Sequence, residues 1–248
     1  MAKKKPADYS TGIDEFPDDE YTYSTPRFRL TAKPENTLEV KIIQAIKNDP
    51  GLQEKLEFEE CNAFHPEGAV GAHIEQGIKY ARMMVARYRD WKRDEQLIIS
   101  AYFLHDLCKA DEEFFEYERE IRPEKHHALL AAEMSEILEI LTIEDDSIAK
   151  LIRHHDVHYR LHRDSQYWKD DEVCRNFRFN FRGFSMQEME ALIRLGLVDR
   201  YRPKPKKKTK EEREVYNRNK RIYNKDMKWF IETAIRSALV DSKFKVFS

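Results

Sequence analysis

Apolar residues recur along this chain three and four positions apart in one segment after another, the spacing that lines one face of a helix. Leu38, Ile42, Ala45 and Ile46 form the first such stripe, which Asn36 and Glu39 can open as a capping pair and Asp49-Pro50-Gly51 closes. After a short polar helix, Val70, His73, Ile74, Gly77, Ile78, Ala81 and Val85 share one face of a longer one, so His73 falls on the buried side. Asp94 is placed to cap the next helix, whose apolar run opens with Leu97, Ile98 and Ile99 and ends on His105-Asp106. From His126 the positions Leu129, Leu130, Met134, Ile137, Leu138 and Leu141 repeat the pattern. Thr142 and Asp145 resemble a capping pair for the helix of Ile148, Leu151 and Ile152, which delivers His154 and His155 near its end. Ser185 and Glu188 form a capping box ahead of Met189, Leu192, Ile193, Leu197 and Val198, and Asp199 closes that helix. Thr209 and Glu212 start a last helix running to about Val240, with an intermittent apolar face that includes Met227, Phe230 and Ile235.

Two stretches break the pattern. Residues 1–34 mix acids, lysines, prolines and scattered aromatics without periodicity, which predicts a flexible or surface-wrapping arm. Residues 156–184 interleave bases with aromatics, among them His158, Tyr159, Arg160, Trp168, Phe177 and Phe181, and are expected to be an ordered insertion rather than a regular helix. The lysines between Pro203 and Lys210 read as a solvated basic loop. The predicted organisation is therefore an arm over 1–34, a single all-α domain with few or no strands over 35–202, and a basic loop and C-terminal helix over 203–248 packed on that domain. At 248 residues the chain can bury a sizeable core, and its seven glycines favour helices over a turn-rich β architecture.

Charge narrows the partners. The formal net charge of −2 gives no global attraction to nucleic acid, so contact with an oligonucleotide would need a local patch, for which the lysine loop and the Arg-rich aromatic segment are candidates. No apolar run approaches membrane-spanning length, and the opening Met-Ala-Lys-Lys-Lys-Pro lacks the apolar stretch of a signal peptide; a cytoplasmic protein with no membrane partner is expected. Cys61, Cys108 and Cys174 have no motif spacing and read as free thiols in a reducing compartment.

The candidate chemistry lies in the polar residues that interrupt buried faces. An imidazole beside a carboxylate at the end of an apolar run is costly to bury without a partner, and a metal ion suits both. Successive helical side chains lie about 100° apart, so His105 and Asp106 can reach one ion, with Lys109 on the same face as His105. His73, His127, His154, His155 and Asp199 occupy comparable positions on other predicted helices.

This order of residues resembles the HD superfamily of metal-dependent phosphohydrolases, whose pattern is H, then HD, then further histidines, then a final D. His65-Pro66-Glu67-Gly68, with His73 after it, is similar to the segment that opens the HD domain of bacterial tRNA nucleotidyltransferases. His105-Asp106-Leu107-Cys108-Lys109 resembles the family's HD-x-G-K, His127 its H-x-x-x-G-A helix, His154-His155 the double histidine of two-metal members, and Asp199 the terminal D. Cys108 stands where the family usually has Gly, and Ile74 where a small hydroxyl residue often follows the first His; neither departure removes a ligand. Lys109-Ala110 stands where alarmone hydrolases carry an ED pair, which disfavours that substrate, and tRNA end synthesis does not carry over because the nucleotidyltransferase catalytic domain has no counterpart here.

The resemblance implies one ion held by His73, His105, Asp106 and Asp199, and a second that shares Asp106 and takes His127, His154 and His155. Imidazole and carboxylate ligands suit Mn, Fe, Co, Ni or Zn, with Mg possible. One or two such ions would activate a bridging hydroxide against phosphorus, with Asp106 and Lys109 as catalytic groups and His65 at the cleft mouth as a substrate or proton-transfer group. The implied function is a phosphomonoesterase or phosphodiesterase acting on a phosphorylated small molecule, a nucleotide or a nucleic acid end. Two alternatives stand beside it: an HD-fold diiron oxygenase, and a metal-retaining module that binds a nucleotide without turnover. Neither the substrate nor the oligomeric state is legible in the sequence.

Overall fold

The computed structural model describes residues 21–59, 68–112, 114–115, 120–121, 126–200 and 210–247. Over these the predicted stripes fold as helices: α1 (Thr37–Asn48), α2 (Pro50–Glu57), α3 (Val70–Arg87), α4 (Arg89–Arg93), α5 (Glu95–Leu104), α6 (His127–Ile137), α7 (Asp146–His154), α8 (Val157–Asp164), α9 (Asp170–Asn180), α10 (Met186–Asp199) and α11 (Lys210–Arg236). Several begin where the sequence signals a start. The Asn36 side chain accepts from Glu39 N at 3.1 Å, Ser185 and Glu188 close a reciprocal box, and Thr142 with Asp145 forms another ahead of α7. Each satisfies backbone N–H groups that the first helical turn leaves without a partner.

α5 is the central element. Every residue from Ile98 to Leu104 is buried, as expected of a helix that is apolar around its whole circumference and needs neighbours on all sides. α3, α7 and α10 supply them, and α6 packs in turn on α7. The close approach of α3 depends on Gly77, because a Cβ there would fall inside the ring of Tyr102. α11 lies across α8, α9 and α10, with Phe230 set among the rings of Phe177, Phe181 and His158. The architecture is a helical bundle, and no helix among the described residues is long and apolar enough to cross a membrane.

Several segments depart from expectation. Part of the predicted arm forms an antiparallel hairpin of β1 (Thr22–Ser24) and β2 (Arg29–Thr31), with Tyr23 opposite Leu30. Phe28, Leu30 and Ala32 are buried, an alternation too short to stand out among charged neighbours, and Phe28 lies against Gly71 of α3. A second pair, β3 (Phe114–Phe115) and β4 (Glu120–Ile121), follows α5. The expected irregular insertion at 156–184 is instead α8 and α9, and Phe177 of α9 with Phe181 just after it buries against Phe230 of α11, a partner distant in sequence. Asp94 does not cap α5 with its side chain; it accepts from Arg93, Gln187 and Arg194. The final helix ends at Arg236 rather than near Val240. Cys108 and Cys174 are free thiols, while Cys61 and residues 1–20 lie outside the described residues.

Candidate metal centre

The histidines and aspartates singled out in the sequence sit at or near helix ends. His73 comes from the buried face of α3, His105 and Asp106 follow the last residue of α5, His127 opens α6, His155 follows α7, and Asp199 ends α10. Packing of these helices around α5 brings six side chains into one buried cluster.

Two groups of donor atoms can be distinguished. In the first, His73 Nε2 lies 3.1 Å from Asp199 Oδ1 and 3.5 Å from Asp106 Oδ2, and His105 Nε2 lies 3.3 Å from each of those oxygens. In the second, His127 Nε2 and His155 Nε2 are 3.1 Å apart and lie 3.3 and 3.6 Å from Asp106 Oδ1. Asp106 thus turns one oxygen to each group. Donors bonded to one transition-metal ion at about 2.0–2.2 Å stand roughly 3 Å from one another, so both sets fit such an ion. Imidazole nitrogen with carboxylate oxygen is also the ligand chemistry of Mn, Fe, Co, Ni and Zn.

In His105, His127 and His155 the other ring nitrogen is committed elsewhere, which turns Nε2 toward the cluster. His105 Nδ1 donates to Tyr102 O and His155 Nδ1 to Ile152 O, each at 2.8 Å, while His127 Nδ1 meets the Glu112 carboxylate. The Tyr102 hydroxyl reaches His73 Nε2 at 2.9 Å. Lys109 Nζ is 3.2 Å from Asp106 Oδ2.

Protons on His105 and His127 offset the carboxylate charges. Burial works against a charge on His105, yet Asp106 and Asp199 hold its pKa up at about 9. His127 is likewise raised well above the usual imidazole range, against its burial, by Asp106, Asp156 and Glu112. Burial also opposes ionisation of Asp106 and Asp199, but neighbouring groups hold both well below the usual carboxylate range: His105, Lys109 and His127 for the former, and the hydrogen bonds from His105 and His73 for the latter. The carboxylates are kept anionic, and the protons on His105 and His127 are what an incoming cation would displace.

Not every predicted residue joins the cluster. His154 does not: its Nδ1 bonds Lys150 O at 2.9 Å and its ring faces Phe184 and Phe181, at 5.0 and 6.0 Å between centroids. Neighbouring positions at a helix end diverge by about 100°, so His155 and His154 point to different sides. His65 lies outside the described residues. Conversely, Asp156 Oδ2 stands 3.1 Å from His127 Nε2 and 3.4 Å from His155 Nε2, a residue that sequence reading passed over although it directly follows the double histidine. Glu112 carries no sequence signal at all. With His126 and His127 it makes a third close group, but it already accepts from the backbone N–H of His127 at 3.0 Å as well as meeting that residue's ring. His126 caps α6 by accepting from Ala128 N at 3.3 Å.

Against known proteins, the HD domain family model matches residues 70–213, more than half of the chain, a span that contains every donor of the cluster. Neither a curated protein nor a solved structure matches it.

Proposed function

The chain belongs to the HD domain family, and from that premise we propose that it is a metal-dependent phosphohydrolase acting on a phosphate ester of a nucleotide or of a nucleic acid end. The observation that carries this reading is the division of Asp106, whose two oxygens face two separate histidine groups 3.3–3.6 Å away. That arrangement suits a pair of cations bridged by one carboxylate.

When bound, such a pair supplies Lewis-acid charge at phosphorus and brings the pKa of coordinated water toward neutrality. His73, His105, Asp106 and Asp199 would hold one ion, while Asp106, His127 and His155 would serve the other. Lys109, largely buried and beside Asp106, contributes a positive charge to bind a phosphoryl oxygen. His65, which precedes α3 in the chain, is assigned to substrate contact or proton transfer. Arg200, next in sequence to Asp199, donates to His158 Nε2 and to the Tyr159 hydroxyl at 3.3 Å, and its guanidinium lies 4.8 Å over the Tyr159 ring. These contacts preorganise a second positive group for an anionic substrate.

The test is a panel of phosphate monoesters, cyclic nucleotides, dinucleotides and short single strands, each assayed with added Mn, Co or Ni. Release of phosphate or nucleotide by the metal-loaded chain, lost on chelation, supports the proposal. Inactivity across the panel with metal demonstrably bound sinks it. A second reading, a diiron oxygenase, is favoured by the six clustered donors being four histidines and two aspartates. Oxygen consumption that requires iron would support that reading, and turnover supported by Zn or Mg would exclude it.

A further inference from the structure

We propose that Asp156 is the fourth protein donor to the second ion, the place that sequence resemblance gives to His154. The inference rests on the two-ion reading above and adds a ligand to it. Asp156 Oδ2, His127 Nε2 and His155 Nε2 form a triangle with edges of 3.1, 3.4 and 3.1 Å. Donors on one metal at about 2.0–2.2 Å make a face of this size, and the first group shows the same spacings, 3.1–3.5 Å. Both imidazoles have their Nδ1 atoms engaged by Glu112 and by Ile152 O, so the Nε2 atoms that meet Asp156 are the ones left to bind a cation. Asp106 Oδ1 lies 3.3 and 3.6 Å from the same two nitrogens.

His154 does not stand there: its ring packs against Phe181 and Phe184, 6.0 and 5.0 Å between centroids, and turning it toward the second ion would break those contacts. Charge gives an independent reason. With histidines and the shared Asp106 alone, the second dication would lie beside the first with only half a carboxylate to offset it, whereas Asp199 serves the first ion directly. Asp156 gives each ion one carboxylate of its own besides the bridge. The pair still keeps a net positive charge, which suits an anionic ester.

Titration of the chelator-stripped full chain with Mn²⁺, by calorimetry and by electron paramagnetic resonance, separates the possibilities without an activity readout. The unaltered chain is expected to bind two Mn²⁺ and to show the spectrum of an exchange-coupled pair. Asp156→Asn should keep the first ion at unaltered affinity, bind the second at least tenfold more weakly, and show a mononuclear spectrum at one equivalent and beyond. His154→Ala should bind both ions as the unaltered chain does. Circular dichroism of the stripped proteins establishes that they fold, and Asp156→Ala is read in the same way if the asparagine variant does not. Unchanged binding of both ions by the Asp156 variant, or loss of the second ion from His154→Ala, overturns the assignment while leaving the two-ion centre intact. Uptake of fewer than two Mn²⁺ by the unaltered chain overturns the two-ion reading, and the assignment with it.

Discussion

Asp106 is the one side chain common to both donor groups, and its two oxygens cannot be replaced by a shorter or neutral residue without separating them. Asp106→Ala is therefore expected to lose both ions, since each site forfeits a ligand and the two cations would face each other without the carboxylate between them. Elemental analysis of the purified variant measures this, and full occupancy would refute the bridging role. The protonation of His105 predicts a pH dependence. Its raised value, about 9 against 6.5 for the free imidazole, stabilises the metal-free fold fully below about 6.5 and fades as pH climbs through about 9. A cation competes with that same proton, so metal uptake should tighten across this window and release protons. Calorimetry in buffers of different ionisation enthalpy counts the protons, and affinity independent of pH from about 6.5 to 9 would contradict the prediction. Glu112→Gln tests the outer support: with the carboxylate that holds His127 Nδ1 weakened, the second ion should bind about 10–100-fold less tightly while the first is unaffected. Equal loss at both sites in metal titrations would count against that role.

At the scale of elements, the cluster exists because helices meet at short range around α5, and the contact between α3 and α5 is the tightest of the points described. Gly77 has no side chain, and the Tyr102 ring occupies the space that one would fill, with its hydroxyl on His73. Gly77→Ala should destabilise the fold by about 1–3 kcal/mol through overpacking, despite alanine's better helix propensity. It should also disturb the first ion site by moving Tyr102. Urea denaturation and metal titration of the variant read the two effects separately; a stabilised protein would show that the helices part without cost. The helix starts at Asn36, Thr142 and Ser185 were readable because capping is a local exchange between residues three apart. The hairpin over 22–31 and helices α8 and α9 were not readable, since their apolar residues find partners on α3 and α11, far away in the chain.

Across the whole molecule, a buried ionic network links the start of α5 to α10. Asp94 and Arg194 are both fully buried and paired, with Arg93, Gln187 and Glu190 around them, and the Arg194 guanidinium lies 5.3 Å over the Phe244 ring of the C-terminal segment. Asp94→Ala would leave the buried Arg194 guanidinium with Glu190, at 3.5 Å, in place of its closer partner, and should cost about 3–5 kcal/mol, more than the loss of a helix cap. An unfolding free energy within about 1 kcal/mol of that of the unaltered chain would show that the network is dispensable. The sequence by itself determined that this chain is helical, where most of its helices start and which faces they bury, and its resemblance to the HD pattern grouped His73, His105, Asp106, His127, His154, His155 and Asp199, of which the structure brings together all but His154. The helices follow from periodicity and local capping, which are properties of neighbouring positions, and the grouping of the ligands follows from the order of residue types that the resemblance carries. Only the tertiary structure decided that Asp156 rather than His154 stands beside His127, that Glu112 supports it, and that Asp94 serves α10 rather than its own helix. The side to which a residue at a helix end turns is settled by what the rest of the chain packs against it, and that depends on contacts between segments the sequence holds far apart.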